Sequence, residues 1–209
     1  HDIGVSIFPH KINIFLVIIL ILGFVHTLNM IDGIDGLYLS QICLLCITCL
    51  IFTSEKIYLG ILINLSLLLI LNLNKYLIVG NSGNYFISSF FAFVAFSLNQ
   101  KAELSFLENL IIFDEKLILS LFSISIIDGL RVSISRLFQK KSPFKGDFNH
   151  LHHYPKNKII FLIIFIISQT SIFILYMTTL NIYLLIIQSI FVYVIIFMYY
   201  KNDKDKLLV

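Results

Sequence analysis

The feature that most constrains this chain is a succession of apolar runs, each about long enough to cross a lipid bilayer. The hydrocarbon core, ~30 Å thick, takes about 17–25 apolar residues as a helix. Such runs fall near 11–28, 38–54, 57–73, 85–98, 117–134, 159–180 and 182–200. Hydrocarbon offers no water to backbone N–H and C=O groups, so a spanning segment satisfies them internally as a helix, and the short alternating strands of a barrel are not the pattern here. The expected fold is all-α: a polytopic membrane helix bundle of about seven transmembrane helices, forming a single membrane domain over residues 1–209. The fourth run is short and carries Ser88 and Ser89, and its loss would reverse the sidedness of everything after it. Composition agrees, with 13% charged residues and a mean hydropathy of +0.94, against about 25% charged in soluble domains.

The net charge of +3 does not call for nucleic acid, because membrane proteins concentrate Lys and Arg in cytoplasmic loops. With the first span running outside to inside, Lys75, Arg131, Arg136, Lys140, Lys141, Lys145, Lys156, Lys158, Lys201, Lys204 and Lys206 are cytoplasmic, eleven of fifteen. Only Lys11, Lys56, Lys101 and Lys116 then face outward. The bias supports both the seven spans and a cytoplasmic C-terminus.

Cys43, Cys46 and Cys49 lie within an apolar run, where small packing or lipid-facing residues are expected rather than a zinc knuckle, which needs a loop. The chain starts at His1, no basic segment and cleavage site precede the first span, and upstream sequence is expected to be missing.

Polar residues gather in three segments that the span count puts on one face. In Asn29-Met30-Ile31-Asp32-Gly33-Ile34-Asp35-Gly36-Leu37, two aspartates three apart on a helical turn present their carboxylates to one side. Paired anions ask for a cation, and glycines beside them admit backbone or phosphate. A polar interhelix turn is the competing explanation, since Asp-Gly is a frequent turn pair. Val79-Gly80-Asn81-Ser82-Gly83-Asn84 is a small turn whose amides suit an anion at a helix N-terminus, although a turn with an N-cap accounts for it as well. The third segment runs from Lys141 through Ser142-Pro143-Phe144 and Asp147 to His150-Leu151-His152-His153, following Arg131 and Arg136. Three histidines in a basic loop suit phosphate binding, proton transfer or metal ligation, with solvated loop histidines as the alternative. A helical reading places His150 and His153 on one face and His152 elsewhere.

Asp128 lies within a span, where a carboxylate costs about 2.5–3.5 kcal/mol at the bilayer centre and is by default functional. Arg131, three residues on, offers a structural alternative as an ion-pair partner.

Together these segments resemble the polyprenyl-phosphate N-acetylhexosamine-1-phosphate transferases, membrane glycosyltransferase family 4, in motif order and spacing. The Asn-Met-x-Asp-Gly-x-Asp-Gly-Leu run and the Ser-Pro-Phe before His-x-His-His look most like the undecaprenyl-phosphate N-acetylglucosamine-1-phosphate branch. The resemblance implies transfer of a sugar-1-phosphate from a UDP-sugar to undecaprenyl phosphate in the inner membrane, initiating a surface glycan of the cell wall or lipopolysaccharide type. It implies Mg²⁺, with Mn²⁺ as a substitute, and leaves a homodimer open. By this resemblance Asp32, Asp35, His150, His152 and His153 are catalytic candidates; Asn29, Gly80, Gly83, Asp128, Arg131, Lys141 and Asp147 bind substrate; and Asp32, Asp35 and Asn81 hold the metal.

Three departures accompany it. No Asp-Asp pair precedes Asn29, in keeping with absent N-terminal helices. Asn81 stands where the family has a metal-binding Asp, and an amide oxygen is a neutral and weaker Mg²⁺ ligand. Asp147-Phe148-Asn149-His150 lacks the family's Arg, which suits bidentate phosphate contact. The competing reading is a homologue that binds lipid-linked sugar or acts as an assembly partner. A cation transporter would need its ligands near mid-membrane, and a CDP-alcohol phosphotransferase would need an Ala-Arg pair after Gly36.

Overall fold

A computed structural model describes residues 14–104, 115–142 and 149–205. Every described element is helical: α1 (Ile14–Ile31), α2 (Leu37–Thr53), α3 (Lys56–Leu73), α4 (Gly80–Leu104), α5 (Glu115–Phe138), α6 (Lys158–Thr179) and α7 (Ile182–Asp205), with one 3-10 turn at Leu151–His153 before α6. Each apolar run of the sequence is one helix. The fourth starts earlier than the run itself, at Gly80, so Gly80 to Asn84 form its first turn rather than a separate loop.

Helix α2 is the centre of the bundle. It is apolar all round and packs against α1, α3, α4, α5 and α6, burying Ile42, Leu45, Cys46 and Cys49 completely. The cysteines are packing residues: all three are buried thiols, and the Cys46 Sγ–H reaches the Tyr58 carbonyl on α3. Around this centre α1 pairs with α4, while α5 pairs with α6 and α7.

Four helices, α3, α5, α6 and α7, contain stretches long and apolar enough to cross a membrane, and shorter apolar stretches occupy Ile21–Ile31 and Leu37–Thr53. Their outer faces carry exposed Ile63 and Leu67 on α3, Ile163 and Ile167 on α6, and Ile187 and Phe191 on α7. A surface so apolar is a lipid-facing surface.

Helix ends are set by local chemistry. Asn157 caps α6, its side-chain oxygen accepting from the N–H groups of Ile159 and Ile160, and Asn181 does the same for Tyr183 and Leu184 at the start of α7. Gly36 precedes α2 at φ +85°, and a Cβ there would lie 2.5 Å from Leu73 Cδ2. The left-handed backbone is what favours glycine there.

Lipid is as apolar as the core, so helix association rests on close packing and interhelical hydrogen bonds. Gln169 of α6 provides such a bond in the bundle interior. Its Nε2 donates to the Ser120 carbonyl at 2.5 Å and to Ser123 Oγ at 3.2 Å, and its Oε1 accepts from Ile124 N–H at 3.2 Å. Ser120 and Ile124 are four apart, the pair that an α-helix bonds directly, so this amide bridges one rung of the α5 ladder. Gln169→Leu should destabilise the protein by about 1 kcal/mol, read as a lower midpoint in denaturant titration of the protein in micelles.

Candidate functional site

The α1–α2 turn, the α3–α4 connection and the α5–α6 connection lie at one end of the bundle; hydrogen bonds join the first two, and a packing contact joins the third to the first. Asn72, at the end of α3, accepts the Gly36 N–H on Oδ1 at 2.5 Å and donates through Nδ2 to the Leu77 carbonyl at 2.9 Å. One amide thereby holds the acidic turn against the approach to α4. Asn84, in the first turn of α4, completes the link: its Nδ2 donates to Asp32 Oδ2 at 2.7 Å. Tyr38 of α2 fixes that turn, its hydroxyl lying 3.0 Å from both the Asn84 carbonyl and Ser88 Oγ.

Residues 32–36 are a turn rather than a continuous helix, so the two aspartates differ in environment. Asp32 is half-buried and Asp35 is exposed. Burial pushes the Asp32 carboxyl above its ordinary range, the Asn84 amide opposes this, and the Asp35 charge raises it further. The two carboxylates are thus near enough to repel, an arrangement that a cation relieves. Asn29 adds its Nδ2 to the Tyr85 hydroxyl at 3.4 Å, and the side-chain oxygens of Asn29 and Asn84 are buried with no hydrogen-bond donor among the described residues.

The histidine loop closes over this turn. A Cβ on Gly33 would lie 2.1 Å from both Cδ2 and Nε2 of His152, so only glycine admits the ring at this distance. His150 is extended and a single 3-10 turn follows. The aligned pair is therefore His150 and His152, with rings 5.6 Å apart and 3° from parallel, and not His150 and His153 as a helix would give. His153 instead faces His152, Nε2 to Nε2 at 3.0 Å, a contact in which one ring supplies the N–H and the other the lone pair. Burial, followed by the neighbouring His153 and His150, depresses His152 to about 3. It is uncharged at neutral pH.

Behind the loop, Asp128 gathers four donors. Its Oδ2 accepts from His150 Nδ1 and from the Leu151 N–H, both at 3.0 Å, and its Oδ1 accepts from Arg131 Nη2 and the Tyr193 hydroxyl, both at 2.8 Å. Arg131 also donates to Tyr193 Oη at 2.6 Å and to the Asn149 carbonyl, and lies over the Phe197 ring at 4.6 Å. The structural alternative for Asp128 and Arg131 is the one this geometry displays: both hold the histidine loop to α5 and α7. Arg131 is half-buried in that framework.

The remaining sequence candidates divide. Gly80 opens α4 at φ +66° with nothing near its missing side chain, whereas a Cβ on Gly83 would meet Val79 Cγ1 at 2.8 Å. Asn81 is exposed, and Asn84, one turn further, makes the contact to Asp32. Lys141 is exposed and bonded to Gln139 Oε1 at 2.9 Å. Asp147 and Phe148 lie outside the described residues. Among the described residues, no three of His, Cys, Asp or Glu gather as a ready metal-ligand group. Sequence reasoning overlooked Asn72, Asn84 and Tyr193; the three-residue spacing of Asn81 and Asn84, which puts them on one helix face, was the available signal for the second.

No protein-family model, curated protein or solved structure matches the chain significantly.

Gly33→Ala should displace the His152 ring and perturb the histidine signals of ¹⁵N-labelled protein while leaving helix content by circular dichroism unchanged. Because His152 binds a proton near pH 6.5 when unfolded but only near pH 3 when folded, its contribution to stability is complete above pH 6.5 and is lost as the pH falls toward 3. Acidification below pH 6.5 should cost about 1.4 kcal/mol per pH unit from this group. His152→Gln should flatten the corresponding part of the pH–stability curve, measured by thermal melting in micelles between pH 7.5 and 5.

Proposed function

We propose that this end of the bundle is the nucleotide-sugar site of a membrane transferase that moves a sugar-1-phosphate, N-acetylglucosamine-1-phosphate in the first instance, from a UDP-sugar to undecaprenyl phosphate. The observation that carries the reading is convergence: Asp32 bonds to Asn84 at 2.7 Å, and Gly33 lies against His152. Acidic turn, glycine turn and histidine loop, far apart in sequence, therefore meet at one place, as their resemblance to the family's motifs requires.

The donor set suits a hard cation. Asp32 and Asp35 supply carboxylate oxygens, and Asn29 and Asn84 hold buried amide oxygens that lack a donor. Mg²⁺ takes oxygen ligands and is commonly held by one or two carboxylates together with substrate phosphates. A divalent cation held there supplies charge neutralisation at the diphosphate. The chain's own residues do the rest by position. His152, neutral and packed against Gly33, brings no excess positive charge and positions His153, which is half-buried and nearer solvent. Donors fixed before the substrate arrives stabilise charge as it moves between phosphates. The exposed apolar faces of the helices would admit a polyprenyl chain from the bilayer, and the excess of Lys and Arg at this end supports a cytoplasmic orientation.

Membranes containing the product of the complete reading frame, given labelled UDP-N-acetylglucosamine, undecaprenyl phosphate and Mg²⁺, should form a labelled lipid-linked pyrophosphate and release UMP. Asp32→Asn should reduce the rate by about 100-fold or more. Asn81→Asp, adding a carboxylate at the α4 N-terminus, should raise it. Binding of the nucleotide sugar or lipid product with no turnover in any of these proteins would instead identify a lipid-linked sugar binder.

A further inference from the structure

Beneath the histidine loop lies a cavity of about 20 Å³, bounded by Thr27, Ser125, Asp128, His150 and His152 and by apolar walls that include Phe161. Two of its polar lining groups are unusual. His150 and Ser125 are each 5% exposed, and His150 Nε2 and Ser125 Oγ are buried without a hydrogen-bond partner among the described residues. Hydroxyls buried in helices ordinarily bond back to a carbonyl on the preceding turn. Ser40, Thr48, Ser120 and Ser189 all do so here, at 2.6–2.8 Å. Ser125 does not, and a buried polar group left alone carries its full desolvation penalty.

The protonation of His150 follows from its other nitrogen. Asp128 Oδ2 is a carboxylate acceptor 3.0 Å from Nδ1, so Nδ1 carries the proton. In the neutral ring Nε2 is then a bare acceptor. An acceptor at His150, a hydroxyl at Ser125 and the Thr27 hydroxyl, which donates to the Gly23 carbonyl at 2.8 Å and retains acceptor capacity, line one cavity. A buried water needs about 10–15 Å³ of such space and two to four polar partners. The volume condition is met, and Thr27, Ser125 and His150 are among the lining residues.

We propose that Ser125 and His150 bind one internal water molecule in this cavity, so that His150 is fixed as its Nδ1–H tautomer between the Asp128 carboxylate and the water. The water donates to His150 Nε2 and is held by the Ser125 and Thr27 hydroxyls, tying the histidine loop to α5 and α1. Ser125 is thereby a positioning residue that acts on the loop through His150. The site rests on packing and hydrogen bonding alone and stands independently of the transferase reading.

The full chain, labelled with ¹⁵N-histidine in nanodiscs, tests this directly. The expected spectrum shows His150 with a protonated Nδ1 and an unprotonated Nε2, and cross-relaxation from its ring protons to a long-lived water. Ser125→Val removes the hydroxyl and fills the space with methyl groups. It should abolish that cross-relaxation, shift the His150 ring nitrogens, and lower the melting temperature by about 2–4 °C. A dry cavity gives the opposite sign, because filling an apolar void stabilises a protein. An unchanged His150 spectrum with a raised melting temperature, or a wild-type His150 protonated at Nε2 with no bound water, overturns the proposal. The wild-type spectrum decides the matter if the variant does not fold.

Discussion

A carboxylate inside a membrane bundle has to be satisfied by the protein, and the way Asp128 is satisfied organises one whole end of this molecule. Each of its oxygens receives two donors, from the histidine loop on one side and from Arg131 and Tyr193 on the other. In the connection between α5 and α6, Leu151 is buried in the core and Tyr154 packs edge-on against Phe197. The Asp128 charge adds bonds to both its backbone at Leu151 and its side chain at His150. Removal of that charge would leave Arg131 buried without its counter-ion, so the pair acts as a unit.

A second framework, made of amides, carries the acidic turn. Asn72 and Asn84 each use their side chains across distances of many residues in sequence, one to hold the backbone of Gly36 and the other to hold the side chain of Asp32. An amide serves this purpose well within a bundle, since it both donates and accepts yet brings no charge to desolvate. Gln169 shows the same economy in the interior, far from the loops. The two frameworks meet where His152 sits on Gly33, and the absence of a side chain there is what allows them to touch.

The helices were legible in the sequence because hydrocarbon leaves a spanning backbone one solution, and seven apolar runs became seven helices. The Asp128–Arg131 pair was legible because three residues along a helix is contact distance. What escaped was set by tertiary contact. Asn84 read as part of a small turn and Asn72 gave no local signal, and their partners are 52 and 36 residues away. Tyr193 read as one more apolar position in α7, since nothing local reveals that its hydroxyl meets Asp128. The histidine alignment was misread because periodicity assumes a regular helix, whereas His150 is extended and a 3-10 turn begins at Leu151, which brings the His150 ring parallel to that of His152.

The charge balance at the acidic turn bears on how a cation would enter under the proposed function. A carboxylate at position 81 or 84 would make the turn more anionic and bind a free divalent ion more firmly. Asn84 does the reverse, directing an N–H at Asp32 and occupying part of its acceptor capacity. Asp35 is exposed, so its charge is weakened by solvent. A turn so moderated holds a lone Mg²⁺ weakly, because Mg²⁺ sheds its water reluctantly and needs strong anionic ligands in exchange. A nucleotide diphosphate supplies those ligands. The cation is then best held when it arrives already paired with the diphosphate, and the protein's part is to orient that complex between the acidic turn and the histidine loop.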